Sequence, residues 1–288
     1  MFGSYTDIYN PWSILNFLDK GEFATYWANT SSNSLVGKLI QEGSKDIKEK
    51  FEELFQGGVL RACIDEQIVY NQLEGNERAV WCLLVASGYL KVISYEKYGE
   101  IPEGKAPEYK LALTNLEVKL MFRNMIYDWF AVAEGNYNGF IKALLMDDVE
   151  AMNYYMNKVA LTTFSYFDTG KQPSESEPER FYHGFVLGLI VELADRYVLT
   201  SNRESGFGRY DVVLEPRKQQ DDAIILEFKV FQPRKEKDLQ DTVKAALAQI
   251  EEKDYAASLL AKGIPQEKIC RYGFAFQGKT VLIGTDEQ

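Results

Sequence analysis

The second half of the chain alternates between helical and strand-like hydrophobic patterns. Two apolar runs of strand length are joined by a polar turn, helical periodicity flanks this pair on both sides, and two further strand-like runs follow. In order, these elements are a helix over 179–197, strands over 209–214 and 223–230, a helix over 238–262, and strands over 270–276 and 280–284. This order predicts a mixed sheet with helices packed on it, so the expected fold class is α/β of the mixed α+β kind.

Helical periodicity dominates the first half of the chain. Asn10 and Pro11 stand where a short helix would begin, because both residue types favour helix starts. A helical pattern over 79–84 is then followed by strand-like runs over 89–94 and 109–114, an order typical of a winged-helix-like element. Such elements bind DNA in some proteins and serve as packing modules in others.

Length and composition favour two domains. The 288 residues are 46% hydrophobic and 14% aromatic, which is enough apolar surface to support folded cores, and domains run on the order of 100–200 residues. We expect a helical, winged-helix-like region over residues 1–132 and a second domain over residues 133–288. A polar stretch rich in Pro, Gly and Ser, residues 168–178, is expected to form an exposed loop.

The sequence predicts a cytoplasmic protein with no membrane partner. The longest apolar stretches are far shorter than the roughly 20 residues that cross a bilayer, and no basic and apolar leader follows Met1. Cys63, Cys82 and Cys270 are odd in number and widely spaced in apolar surroundings, which predicts buried free thiols.

The net charge of −11 argues against loose, nonspecific attraction to a polyanion. The charge is distributed unevenly, however. Residues 229–244 contain five cations (Lys229, Arg234, Lys235, Lys237 and Lys244) and three acids (Glu236, Asp238 and Asp241), a local balance of 5 − 3 = +2. A basic rim is therefore expected there.

Two carboxylates and a lysine are expected to converge in the predicted hairpin. Glu227 and Lys229 are two residues apart on one strand, so both project from the same face. Asp211 begins the neighbouring strand, and the connection between the strands is short enough to bring it beside Glu227. Carboxylate oxygens suit Mg²⁺, and a nearby lysine can orient a water nucleophile or neutralise charge on a phosphoryl transition state.

Asp211, sixteen positions before Glu227-Phe228-Lys229, resembles the D…ExK signature of the PD-(D/E)XK nuclease superfamily. The flanking stretches 179–184, 201–211 and 249–255 resemble the branch found behind AAA-ATPase-like domains in bacterial proteins. The resemblance implies a restriction-endonuclease-like fold for 133–288 and a bound Mg²⁺ or Mn²⁺. It further implies Asp211 and Glu227 as metal ligands, Glu179 as a helix-borne acid, Lys229 as the catalytic lysine and Gln249 as a helix residue facing the site.

The resemblance extends to the first half, where residues 9–13, 26–27 and 88–90 are similar to the segment that trails the ATPase core. Residues 273–280, Gly-Phe-Ala-Phe-Gln-Gly-Lys-Thr, have the spacing of a G-x-x-x-x-G-K-[ST] phosphate loop, but they join two predicted strands, whereas a phosphate loop leads from a strand into a helix. We therefore expect no ATPase activity from this chain. The resemblance implies an ATPase on a partner chain or on a missing N-terminal domain.

Several candidate residues have two interpretations. Glu179 could be catalytic or could favour a helix dipole. Arg203 and Arg209 could contact phosphate or pair with Glu204. His183, the only histidine, and Tyr255 could contact substrate or pack in the core.

The expected function is metal-dependent hydrolysis of nucleic-acid phosphodiester bonds, with DNA preferred over RNA as the substrate. The alternative is a non-cleaving module that binds nucleic acid or protein and docks on a separate ATPase, because fold resemblance alone does not establish activity.

Overall fold

The chain folds into two units, Met1–Asp128 and Trp129–Gln288, in a computed structural model. The structure describes residues 10–22, 24–27, 33–64, 76–97, 101–102, 106–167, 177–203 and 210–286. Across this described part, every helix is too short or too polar to cross a lipid bilayer.

The first unit combines helices with a three-stranded antiparallel sheet in the order β1-β3-β2. Its elements are α1 (Pro11–Lys20), α2 (Ser34–Gln41), α3 (Lys45–Phe55), β1 (Leu60–Cys63), α4 (Glu77–Ala86), β2 (Leu90–Tyr95), β3 (Glu108–Leu113) and α5 (Leu116–Trp129). Helix α1 begins as predicted, with Asn10 accepting a hydrogen bond from the Trp12 amide at 2.9 Å. The predicted helix followed by a two-stranded wing is confirmed as α4, β2 and β3.

Helix α4 turns its apolar side chains inward. Val80, Trp81 and Leu84 are each at most 2% exposed. The helix before the wing therefore serves the core of its own unit.

The second unit contains a five-stranded sheet in the order β4-β5-β6-β7-β8. Its elements are α6 (Glu134–Leu145), α7 (Val149–Phe167), α8 (Glu177–Leu193), β4 (Tyr197–Arg203), β5 (Tyr210–Pro216), β6 (Ala223–Val230), α9 (Leu239–Glu252), α10 (Tyr255–Ala261), β7 (Ile269–Gln277) and β8 (Thr280–Thr285). Strands β6 and β7 are parallel and the other neighbours are antiparallel. The predicted mixed sheet flanked by helices is confirmed, and it is consistent with a restriction-endonuclease-like fold.

Two predicted helices differ from the structure. The helix predicted over 179–197 ends at Leu193, and Tyr197 starts β4, because Tyr197 and Leu199 are buried while Val198 between them is 41% exposed. The helix predicted over 238–262 is two helices, broken at Asp254, whose φ of 50° is left-handed. Of the predicted exposed loop over 168–178, residues 168–176 lie outside the described residues, and the last two belong to α8.

The two faces of the five-stranded sheet are packed with different side chains. On one face, Phe228 lies 4.9 Å from Phe274 and 5.7 Å from Tyr182 of α8, measured between ring centroids. On the opposite face, Ile225 belongs to an aliphatic cluster with Ile250 of α9. The ExK strand therefore runs between an aromatic layer and the helix α9.

Two asparagines of α7 form hydrogen bonds with main-chain groups along the outer edge of β8. The Asn153 amide donates to the Ile283 carbonyl at 2.8 Å, and its oxygen accepts from the Ile283 amide at 2.8 Å. Asn157 makes the same pair of bonds with Val281, at 2.7 and 3.0 Å. Helix α7 thus occupies the hydrogen-bonding positions that another strand would use.

The turn between β5 and β6 is tied to the end of α8 by an ion pair. Arg196 donates through Nε to Asp221 Oδ2 at 3.0 Å and through a terminal nitrogen to Oδ1 at 2.7 Å. The side chain of Asp221 is 6% exposed and that of Arg196 is 44% exposed. The guanidinium hydrogen bonds hold the pKa of Asp221 below its usual value of 3.8.

The double variant Asn153→Ala/Asn157→Ala is expected to lower the free energy of unfolding by about 2–4 kcal/mol, since it removes four hydrogen bonds to β8. It should also cause concentration-dependent association, because a bare strand edge pairs with other chains. Urea unfolding and sedimentation measure the two effects. Asn138→Ala, an exposed position on α6, is the control, and equal behaviour of the two variants would contradict the role of the asparagines.

Asp221→Asn is expected to lower the free energy of unfolding by about 1–2 kcal/mol at pH 7, because it removes the charge of a pair that water partly screens. The folded-state pKa is depressed, so this stability is present above the unfolded-state pKa and is lost as the pH falls through the folded value. Urea unfolding should therefore show a gap between wild type and variant at pH 7 that narrows at pH 3. Asp222→Asn, at the exposed neighbouring position, should show no gap, and a gap independent of pH would refute the assignment.

Candidate active site

A row of directly opposed residues crosses the sheet of the second unit. From β4 to β8 it consists of Asn202, Asp211, Glu227, Gly273 and Gly284. Residues opposite each other in a ladder project from the same face of the sheet. Asp211 and Glu227 are therefore adjacent on one face, with Cα atoms about 5 Å apart as in any antiparallel pair.

Glu227 is completely buried, at 0% exposed. Burial of a carboxylate is costly unless the charge is compensated. Lys229 lies two residues further along the same strand and projects from the same face. The face therefore joins a buried acid, the position of a second acid and an amine at one end of β5 and β6.

The Lys229 ammonium is held by helix α9. Its Nζ donates a hydrogen bond to Gln249 Oε1 at 2.6 Å, and Gln249 is 6% exposed. This contact joins two residues that the resemblance to the nuclease superfamily implies for the site. Since the amide oxygen accepts, it orients the ammonium without adding charge.

Two glycines allow α9 to approach the sheet closely. A Cβ atom at Gly273 would lie 2.8 Å from the Val243 carbonyl oxygen and 3.0 Å from Ala246 Cβ. A Cβ atom at Gly284 would lie 2.7 Å from Val243 Cγ1. Helix α9 therefore lies over the glycine half of the row, next to the acidic half.

Three of the other predicted site residues lie in three different elements of the second unit. Glu179 lies in the first turn of α8 and Arg203 is the last residue of β4, and the structure describes their backbones but not their side chains. The same holds for Asp211 at the start of β5. Arg209 lies outside the described residues.

His183 and Tyr255 pack against other side chains. His183 of α8 is 1% exposed, with its ring centroid 4.8 Å from that of Tyr182. Tyr255, the first residue of α10, is partly buried against the aliphatic cluster that includes Ile225 and Ile250. Any role of these two residues in substrate binding stays a prediction.

Sequence reasoning missed the contribution of the glycines and of β4. Gly273 interrupts an apolar run, and a glycine inside a strand is a signal of close backbone approach. Asn202 belongs to the stretch 201–211 that resembles the nuclease branch, and its position opposite Asp211 follows only from strand β4.

Gly273→Ala is expected to lower the free energy of unfolding by about 1–3 kcal/mol, because the added methyl group meets the backbone of α9 and overpacks this layer. Gly135→Ala is a matched control, since a Cβ atom there has open space within α6, and it should be neutral or slightly stabilising. Urea unfolding of both variants tests the difference. A Gly273→Ala variant as stable as Gly135→Ala would contradict this expectation, because it would show that α9 can move away from the added methyl group without loss of stability.

The comparisons with known proteins agree with this geometry. Residues 177–286 match the family model of the PD-(D/E)XK nuclease superfamily. The matched segment runs from α8 to β8 and contains Glu179, Asp211, Glu227, Lys229 and Gln249. A search of curated proteins found no match. The predicted superfamily is thus confirmed for residues 177–286, which match its family model, while the branch found behind AAA-ATPase-like domains stays a prediction.

Proposed function

We propose that this domain hydrolyses phosphodiester bonds of nucleic acid, with DNA as the preferred substrate, and that Mg²⁺ or Mn²⁺ is its cofactor. The observation that carries the proposal is the pairing of Asp211 with Glu227 on the sheet face where Lys229 contacts Gln249. The nuclease superfamily match supports the reaction class.

The donor set at this face fits a hard divalent cation. Mg²⁺ is usually held by one or two carboxylates and keeps several waters, and Asp211 and Glu227 supply two carboxylate positions side by side. Glu227 is completely buried, so its carboxylate position is fixed within the sheet. We therefore propose Asp211 and Glu227 as the protein ligands, with Glu179 as an assisting acid.

Such a cation would polarise the phosphoryl group and lower the pKa of a bound water. Lys229, held by Gln249, would orient the nucleophilic water and stabilise negative charge that develops on the phosphoryl oxygens. A fixed ammonium is more effective than a mobile one, because no reorganisation is needed as the charge develops. We therefore propose Lys229 as the catalytic lysine and Gln249 as its positioning residue.

Arg203 and Arg209 are proposed as phosphate contacts. Arg203 pairs with Tyr210 in the ladder, one position from the Asn202–Asp211 pair, so it lies at the acidic end of the sheet. Arg209 directly precedes β5 in the chain. The burial of His183 and the aliphatic contacts of Tyr255 favour packing roles for these two residues.

The setting that we propose is the cytoplasm, where the cysteines would stay reduced, and the described structure has Cys63, Cys82 and Cys270 as free thiols. An ATPase supplied by another chain or domain is proposed as a partner from the resemblance of the first half to segments that trail ATPase cores. ATP hydrolysis by this chain itself is not proposed.

The proposal predicts metal-dependent cleavage that depends on the site residues. With Mg²⁺ or Mn²⁺, the wild type should cleave plasmid, single-stranded DNA or RNA, and Asp211→Asn, Glu227→Gln and Lys229→Ala should each lose activity by about 100-fold or more. Gln249→Ala should lose about 10-fold to 100-fold, as expected for a residue that orients another, and Gln249→Glu should shift the pH profile, since its carboxylate would pair with the ammonium.

Lys142→Ala, an exposed lysine on α6, is the matched control and should retain full activity. Cleavage by Lys229→Ala at the wild-type rate would overturn the assignment of the site. A wild type that binds nucleic acid and cleaves none of the three substrates with either metal would instead support the non-cleaving binding module.

A further inference from the structure

The segment that follows β6 carries four exposed cations next to the candidate active site. Strand β6 ends at Val230, one residue after Lys229, and α9 begins at Leu239. The loop between them, residues 231–238, and the first turns of α9 expose the cations. They are Arg234, Lys235, Lys237 and Lys244.

The acids of this segment are bound to its own backbone and hydroxyl groups. Glu236 Oε2 accepts from the Gln232 amide at 2.7 Å and from the Thr242 hydroxyl at 2.8 Å. Asp238 caps α9 by accepting from the Asp241 amide at 3.0 Å, and Asp241 accepts from the Lys237 amide at 3.0 Å. The three carboxylates therefore fix the loop.

The side chains of the four cations form no ion pair with any described residue. Other cations of the same unit do form ion pairs. Lys262 pairs with Glu215, and Arg271 Nη1 lies 3.6 Å from Asp286 Oδ2. In a chain with 43 acidic and 32 basic residues, four neighbouring cations without an acidic partner form a surface complementary to an anion. The loop is also ordered in advance, with the Lys235 and Glu236 amides both donating to the Gln232 carbonyl, so binding costs little conformational entropy.

We propose that this basic loop, residues 231–238 together with Lys244, binds the phosphate backbone of the nucleic-acid substrate beside the scissile phosphate. The inference rests on the proposed function, since it names the surface that holds the substrate of that site. The loop leaves the strand that carries Glu227 and Lys229, so a backbone lying on it is led to the acidic end of the sheet. Contacts of this kind are independent of base sequence.

The test measures binding separately from cleavage. Fluorescence anisotropy with a labelled DNA duplex, a single-stranded DNA and an RNA duplex, in EDTA and over a range of salt concentrations, compares the wild type with Arg234→Ala/Lys235→Ala/Lys237→Ala. The slope of log affinity against log salt should become shallower by about 2–3 for duplex DNA, close to one per lost phosphate contact. Affinity should fall equally for unrelated DNA sequences, and the three probes show which backbone is preferred.

Two controls keep the result interpretable. Lys235→Arg/Lys237→Arg preserves charge and should keep the wild-type slope. Lys142→Ala/Lys218→Ala removes two exposed cations, one on α6 and one in the turn at the opposite end of the β5–β6 hairpin, and should also keep it.

An unchanged slope in the triple variant, or no binding by the wild type, would overturn the inference. A shallower slope together with a wild type that never cleaves would uphold the basic loop as a nucleic-acid surface while the nuclease proposal fails. Thermal unfolding of each variant establishes that a shallower salt dependence of binding reflects lost phosphate contacts and not a loss of folded structure.

Discussion

The close approach of α9 to the sheet is the constraint on which the candidate site depends. Gly273 and Gly284 leave room for the backbone and Val243 of the helix, and this spacing brings Gln249 within hydrogen-bonding distance of Lys229. A side chain at either glycine would push the helix outward. The lysine would then lose its neutral acceptor, and the long, flexible amine would no longer be held on the face that carries Glu227.

The two faces of the five-stranded sheet differ in role: one face only packs in the core, and the other also carries the residues of the candidate site. Aromatic side chains such as Phe228 and Phe274 fill one face and need no polar partner. The other face is aliphatic at one end, around Ile225, and acidic at the other end, at Glu227. Because side chains alternate along a strand, the same eight residues of β6 supply both the packing and the charged groups.

Local patterns predicted the parts of the fold that depend on near neighbours. The alternation in β6 placed Glu227 and Lys229 on one face, and the short β5–β6 connection brought Asp211 beside them, as the ladder confirms. Strand β4 was missed because its apolar residues continue a helical pattern without an obvious break, and the turn before Tyr197 is stabilised by the distant Asp221. The contact between Gln249 and Lys229 could be anticipated only from family resemblance, since twenty residues and the packing of α9 intervene.

The hydrogen bonds from α7 to β8 also bear on where the folded domain begins. Asn153 and Asn157 lie outside the segment 177–286 that matches the family model, yet they are 124 to 130 residues away from their partners on the last strand. A chain cut to the matched segment would leave the main-chain groups of Val281 and Ile283 without these acceptors and donors. The structural unit that completes the sheet is therefore longer than the segment that matches the family model, because the last strand forms its outer hydrogen bonds with a helix that precedes that segment in the chain.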